Sequence, residues 1–185
     1  IENARLEVTD ITIETQEAAE KLGRPVGRYI TLTATDSTFD MYSDSFRERA
    51  EVIAKAIGEL CGGCERFLAV GLGNYALTSD AVGPLTAEKI FATRHIKSLA
   101  KEIDTDDLGE VTVIQPGVLG NTGIESSEQV KAIAERVRPQ AVIAVDALAC
   151  SELSNLGRTI QLCNTGISPG SGVENARKEL SLSTL

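Results

Sequence analysis

At 185 residues, with 42% hydrophobic and 24% charged residues, the chain has ordinary globular composition and suits one domain with a sizeable core. A formal net charge of −9 argues against general nucleic-acid binding and against an anionic membrane surface. No apolar run approaches the ~18 residues that span a bilayer, so a soluble, cytoplasmic protein is expected.

Leu6-Glu7-Val8-Thr9-Asp10-Ile11-Thr12-Ile13 alternates imperfectly, because the apolar phase slips at Asp10. This reads as an edge-type strand with a bulge. Gly23, Pro25 and Gly27 punctuate a loop, and Arg28 to Thr35 alternates again as a second strand. Ser45 and Glu48 have capping-box spacing, and Phe46, Ala50, Ile53, Ile57 and Leu60 follow at helical intervals until Gly62-Gly63. Phe67 to Val70 is a continuous apolar strand. Pro84 fits a first helical turn, and that helix is expected to run through Ile90 and Ile96 to about Ala100. Asp104 to Gly109 is an acidic turn, and Val111 to Gln115 a short strand. Thr122 and Glu125 again have capping-box spacing, before a helix to about Val137. Ala141 to Val145 and Thr159 to Leu162 are strands, and a last helix is expected near Gly172-Val173.

Strands alternating with helices imply an α/β fold: a mostly parallel twisted sheet with helices on both faces and an N-terminal antiparallel addition. The expected organisation is a single α/β domain over 1–185. Cys61 and Cys64 form a C-G-G-C that closes a helix and precedes a strand. A redox pair normally opens a helix, whose N-terminus lowers the thiol pKa, so small buried thiols in a turn are the better reading. Cys150 and Cys163 do not complete a zinc-ligand spacing.

Ligands of an open parallel sheet bind beyond the carboxyl ends of its strands. That rule selects four loops: 72–83, 116–124, 146–152 and 163–172. Asp146 ends the run Ala-Val-Ile-Ala-Val, where a carboxylate loses hydration unless it has partners. Asp80 lies in the loop after Phe67 to Val70. Each could be a helix cap. Taken together they sit at one sheet edge, and two carboxylates sharing a water can divide the roles of base and acid.

Competing chemistries fit less well. Gly166-Ile167-Ser168-Pro169-Gly170 has the spacing of a nucleophile elbow. Pro169 supplies no N–H for an oxyanion hole, and no His follows it. His95, on one helix with Asp80, would lie roughly 22 Å away at ~1.5 Å rise per residue, and reads as a helix-end residue rather than a metal ligand. Gly71-Leu72-Gly73 lacks the third glycine of a dinucleotide fingerprint, where Ala76 stands. Gly170-Ser171-Gly172 could hold an anion or simply turn. No cofactor and no metal are expected.

Several ordered blocks resemble one family. Gly71-Leu72-Gly73-Asn74 followed by Thr78-Ser79-Asp80-Ala81-Val82-Gly83-Pro84-Leu85 resembles the G-L-G-N-x-x-x-T-x-D-x-x-G-P-L stretch of the germination protease of spore-forming bacteria. Thr93-Arg94-His95, Gln115-Pro116-Gly117-Val118-Leu119-Gly120, Gly123-Ile124-Glu125 and Asp146-Ala147-Leu148-Ala149 are similar to further blocks of that family. So is Thr165-Gly166-Ile167-Ser168-Pro169-Gly170-Ser171-Gly172-Val173 with Arg177-Lys178-Glu179-Leu180-Ser181. The resemblance implies an endopeptidase that degrades small acid-soluble spore proteins in the spore core. It also implies a self-cleaving zymogen, a homotetramer, and Asp80 and Asp146 as the catalytic pair.

The family's fold is related to the hydrogenase-maturation peptidases, so a metal-dependent peptidase of that type is the alternative. A non-catalytic binding or assembly module on the same fold is the reading from another class. The chain opens on Ile1 and ends at Leu185, and it is expected to be a processed or truncated core.

Overall fold

The computed structural model describes residues 1–99, 104, 105, 108–168, 179–181 and 184. Its elements in chain order are β1 (Leu6–Ile13), α1 (Gln16–Leu22), β2 (Gly27–Ala34), α2 (Phe46–Cys61), β3 (Arg66–Gly71), α3 (Val82–Lys89), α4 (Arg94–Leu99), β4 (Glu110–Ile114), α5 (Leu119–Thr122), α6 (Ser126–Val137), β5 (Ala141–Val145) and β6 (Thr159–Cys163). The class is α/β. The elements fall into two compact units, one of Ile1–Gly63 with Leu148–Thr165, the other of Cys64–Ala147 with Gly166–Leu185. The helix expected near Gly172-Val173 lies outside the described residues.

The first unit carries an antiparallel sheet in the order β1-β2-β6. Ile30 and Leu32 of β2 pack with Ala56, Val52 and Ile53 of α2 and with Ile160 and Leu162 of β6. β6 therefore pairs with β2 instead of extending the parallel sheet, and the antiparallel sheet is more than an N-terminal addition. β1 pairs with β2 in unbroken register from Leu6↔Ala34 to Ile13↔Gly27, so the expected bulge is absent. The phase slip is absorbed by leaving Val8 and Ile11 exposed on this edge strand. α1 was not expected. It is capped by the Thr15 hydroxyl, which accepts from the Ala18 N–H, and it ends on left-handed Gly23.

One charge is buried in this unit. Arg49 is 2% exposed. It donates to the carbonyls of Ala4 (3.1 Å) and Thr38 (2.9 Å), pairs with Asp36, and lies 5.6 Å from the Phe39 ring centroid. Asp36 also accepts from Arg5 at 2.7 Å. The hydrogen bond from Arg5 is the main reason its carboxyl is lowered from the ordinary 3.8 to about 2, with the Arg49 charge adding to it.

The second unit carries a parallel sheet in the order β4-β3-β5. Leu68, Val70 and Leu72 pack against Val130, Ile133 and Ala134 of α6. Side chains alternate across a strand, so Gly71 faces the other way, and a Cβ there would meet Ala87 of α3 at 2.8 Å. Helices thus cover both faces of this sheet.

Two boundaries and two caps differ from expectation, while α2 itself runs as expected. The long helix predicted through Ile96 breaks at Ile90, whose backbone is extended. Thr93 is pulled onto β4: its N–H donates to the Val111 carbonyl (3.0 Å), and its hydroxyl accepts from the Val111 N–H (2.8 Å) and donates to the Gly109 carbonyl (2.5 Å). Ser45 makes no side-chain cap bond to α2, its hydroxyl lying 3.0 Å from that of Ser43. Thr122 closes α5, and α6 starts at Ser126, so neither capping box forms. Cys61 and Cys64 are only partly buried, not fully buried as expected of that turn, and Cys163 is partly buried while Cys150 is exposed.

Candidate active site

β3 and β5 run parallel side by side, with Gly71 opposite Val145. The Leu72 N–H donates to the Val145 carbonyl at 2.9 Å, one residue beyond the ladder. Asp146 is therefore the first residue released from β5, one strand spacing (about 4.8 Å) from the point where the chain leaves β3. Its Oδ1 accepts from the Ala147 N–H at 2.9 Å. No helix follows until the 3-10 turn at Leu153–Asn155, so Asp146 does not cap one.

Asp80 is returned to the same edge by a tight loop. The Asn74 side chain accepts from the Ala76 N–H (3.0 Å), and the Asn74 carbonyl accepts from the Leu77 N–H (3.0 Å). A 3-10 turn at Thr78–Asp80 follows. The Asp80 Oδ2 then accepts from the Asn74 N–H at 2.9 Å. α3 has no side-chain cap, so Asp80 closes its own loop and does not cap the helix.

Two glycines make this approach possible. Gly73 has φ +117°, and a Cβ on it would lie 2.1 Å from the Asp80 carbonyl oxygen and 3.1 Å from Oδ1. A Cβ on Gly83 would lie 2.1 Å from the Leu72 carbonyl oxygen and 2.4 Å from that of Val145. Gly83 thus presses the start of α3 against the ends of both strands. Both aspartates are half-buried.

The other sequence candidates fall elsewhere. His95 is exposed in the first turn of α4, and the break at Ile90 removes the continuous helix used to separate it from Asp80. Ile167 forms a two-bond antiparallel bridge with Leu180, at 2.9 Å each way. Pro169 and the 170–172 turn lie outside the described residues. The loop after β6 leaves the antiparallel sheet, so the rule that selected 163–172 does not apply to it. Among the described residues, no three His, Cys, Asp or Glu side chains gather as a metal-binding group, and no helix is long and apolar enough to cross a membrane.

The family model of germination proteases matches residues 1–185. The chain belongs to the germination protease family. It is 40% identical over 183 residues to a germination protease of Clostridium perfringens, covering 97% of this chain and 56% of the relative. It is 40% identical over 185 residues to that of Clostridium tetani, covering 98% and 56%. For Halalkalibacterium halodurans the identity is 43% over 173 residues, covering 90% and 46%. The chain spans about half the length of these germination proteases. The resemblance carried by the sequence blocks is thereby confirmed at the level of the family.

Proposed function

We propose that this chain carries the catalytic pair of a spore-germination endopeptidase, with Asp80 and Asp146 activating the water that cleaves the peptide bond. The observation that carries this reading is the return of Asp80 to the end of β3, the strand paired with the one that releases Asp146, through a loop that only glycine at position 73 permits. In this reading the two carboxylates divide the roles of general base and general acid. The ionised carboxylate takes a proton from water as its oxygen attacks the scissile carbonyl carbon. The protonated one gives its proton to the departing amine, and the C–N bond breaks.

Family membership supports small acid-soluble spore proteins as substrate, maturation from a zymogen, a homotetramer, and a place in the cytoplasm of the spore core. The test is digestion of such spore proteins by the full-length protein and by its Asp80→Asn and Asp146→Asn variants. Asparagine keeps an acceptor for the Asn74 N–H, so the fold should persist while cleavage is lost. Wild-type digestion by both variants overturns the proposal. Insensitivity to a chelator separates it from a metal-dependent peptidase.

A further inference from the structure

The loop after β4 leaves the same edge of the parallel sheet. Val70 is opposite Ile114 in register, so Pro116 emerges beside Leu72. This loop is tied down from α6 by two polar side chains. Gln129 Nε2 lies 3.0 Å from the Pro116 carbonyl, 3.3 Å from that of Ile124 and 3.4 Å from the Thr122 hydroxyl. Two carbonyl acceptors require the amide nitrogen to face the loop. The Ser126 hydroxyl donates to the Gly117 carbonyl at 2.8 Å. One amide therefore joins the start of the loop to its end.

What this bracing holds in place is apolar and uncovered. Leu119 and Ile124 are each 48% exposed, and on the neighbouring Asp80 loop Tyr75 is 59% and Leu77 55% exposed. Four large apolar side chains thus stand exposed on two loops that leave paired strands at one sheet edge.

We propose that Gln129 is a positioning residue that fixes the 116–124 loop as one wall of the substrate cleft, with Leu119 and Ile124 receiving apolar side chains of an extended polypeptide. This rests on the peptidase reading above. Gln129 acts through the loop and touches no reacting atom. Its loss should weaken binding of substrate and transition state alike, which raises KM and spares kcat.

The test uses the full-length protein and an unfolded polypeptide substrate, with thermal melts run alongside. Gln129→Leu removes the donor and should raise KM roughly tenfold, the loss expected for about one hydrogen-bonded brace. Leu119→Ser and Ile124→Ser change exposed side chains, so they should raise KM with kcat and melting temperature unchanged. Combining either with Gln129→Leu should give less than the product of the separate effects. Wild-type KM in Leu119→Ser and Ile124→Ser, or a Gln129→Leu variant that only melts earlier, overturns the inference. Asp80→Asn run in parallel distinguishes the failures: if it is inactive while these variants keep wild-type KM, the positioning role fails and the catalytic reading stands.

Discussion

Gly73→Ala adds one methyl group at the point where the Asp80 loop closes on itself. The new Cβ would sit 2.1 Å from the Asp80 carbonyl oxygen, against a comfortable carbon–oxygen contact of about 3.3 Å. Asp80 must then retreat by roughly 1 Å, or Gly73 must leave its φ of +117°. The first route stretches the 2.9 Å bond between the Asn74 N–H and the Asp80 carboxylate. The second unwinds the loop, and an alanine that stays at this φ is strained by about 1–3 kcal/mol. A misplacement near 1 Å slows a catalytic group by about 10²-fold. Circular dichroism should show a folded protein that melts a few degrees lower, and a peptide-cleavage assay should show a rate down by about that factor. The control is Gly58→Ala on α2, where a Cβ meets nothing within 4 Å. Unchanged cleavage and melting in Gly73→Ala would refute the argument that this close approach sets the Asp80 carboxylate.

Three further outcomes follow from the first unit. Gly58→Ala itself should raise stability by about 0.5–1 kcal/mol in urea titration, since helix interiors favour alanine. Arg49→Ala should lower stability by about 3 kcal/mol in the same titration, because it strands the Ala4 carbonyl, takes one of two donors from that of Thr38 and removes a fully buried partner of Asp36. Asp36 is depressed in the folded state, so its contribution is present above its ordinary 3.8 and is lost as pH falls through about 2. Acid titration of Asp36→Asn should therefore lack the part of the stability loss that the wild type shows between those values.

The sequence made the parallel sheet legible because its strands are short continuous apolar runs, as at Ala141 to Val145. β6 lacks that signature. Ile160 and Leu162 alternate with Thr159, Gln161 and Cys163, which is the pattern of a half-covered antiparallel strand, and only pairing with β2 made that visible. α1 had its signals, a Thr15 cap and a Gly23 stop. Only Ala19 of it is buried, so it has no apolar stripe to read. The α3–α4 break came from a tertiary contact, the clamp of Thr93 on Val111, that local periodicity does not contain. Both capping boxes failed for a similar reason, as their Ser and Thr hydroxyls found nearer partners.

At the candidate site, the sequence placed Asp80 and Asp146 at one edge through the strand-end rule, and the structure shows β3 and β5 as direct neighbours there. The sequence left open whether each aspartate was a helix cap. The bonds to Asn74 and Ala147 answer that. Gln129 lies inside an ordinary helical pattern and carries no signal of its own. Its reach back to Pro116 and Ile124 depends on how that loop folds, which has no sequence signature.

The central claim is that Asp80 and Asp146 work as one unit. Cleavage rates of the full-length protein carrying Asp80→Asn, Asp146→Asn and both together test it most directly, since residues that act jointly are non-additive. The account predicts that either single change removes nearly all activity and that the double variant falls no further. Losses that multiply in the double variant, or a single variant that cleaves at the wild-type rate, would contradict it.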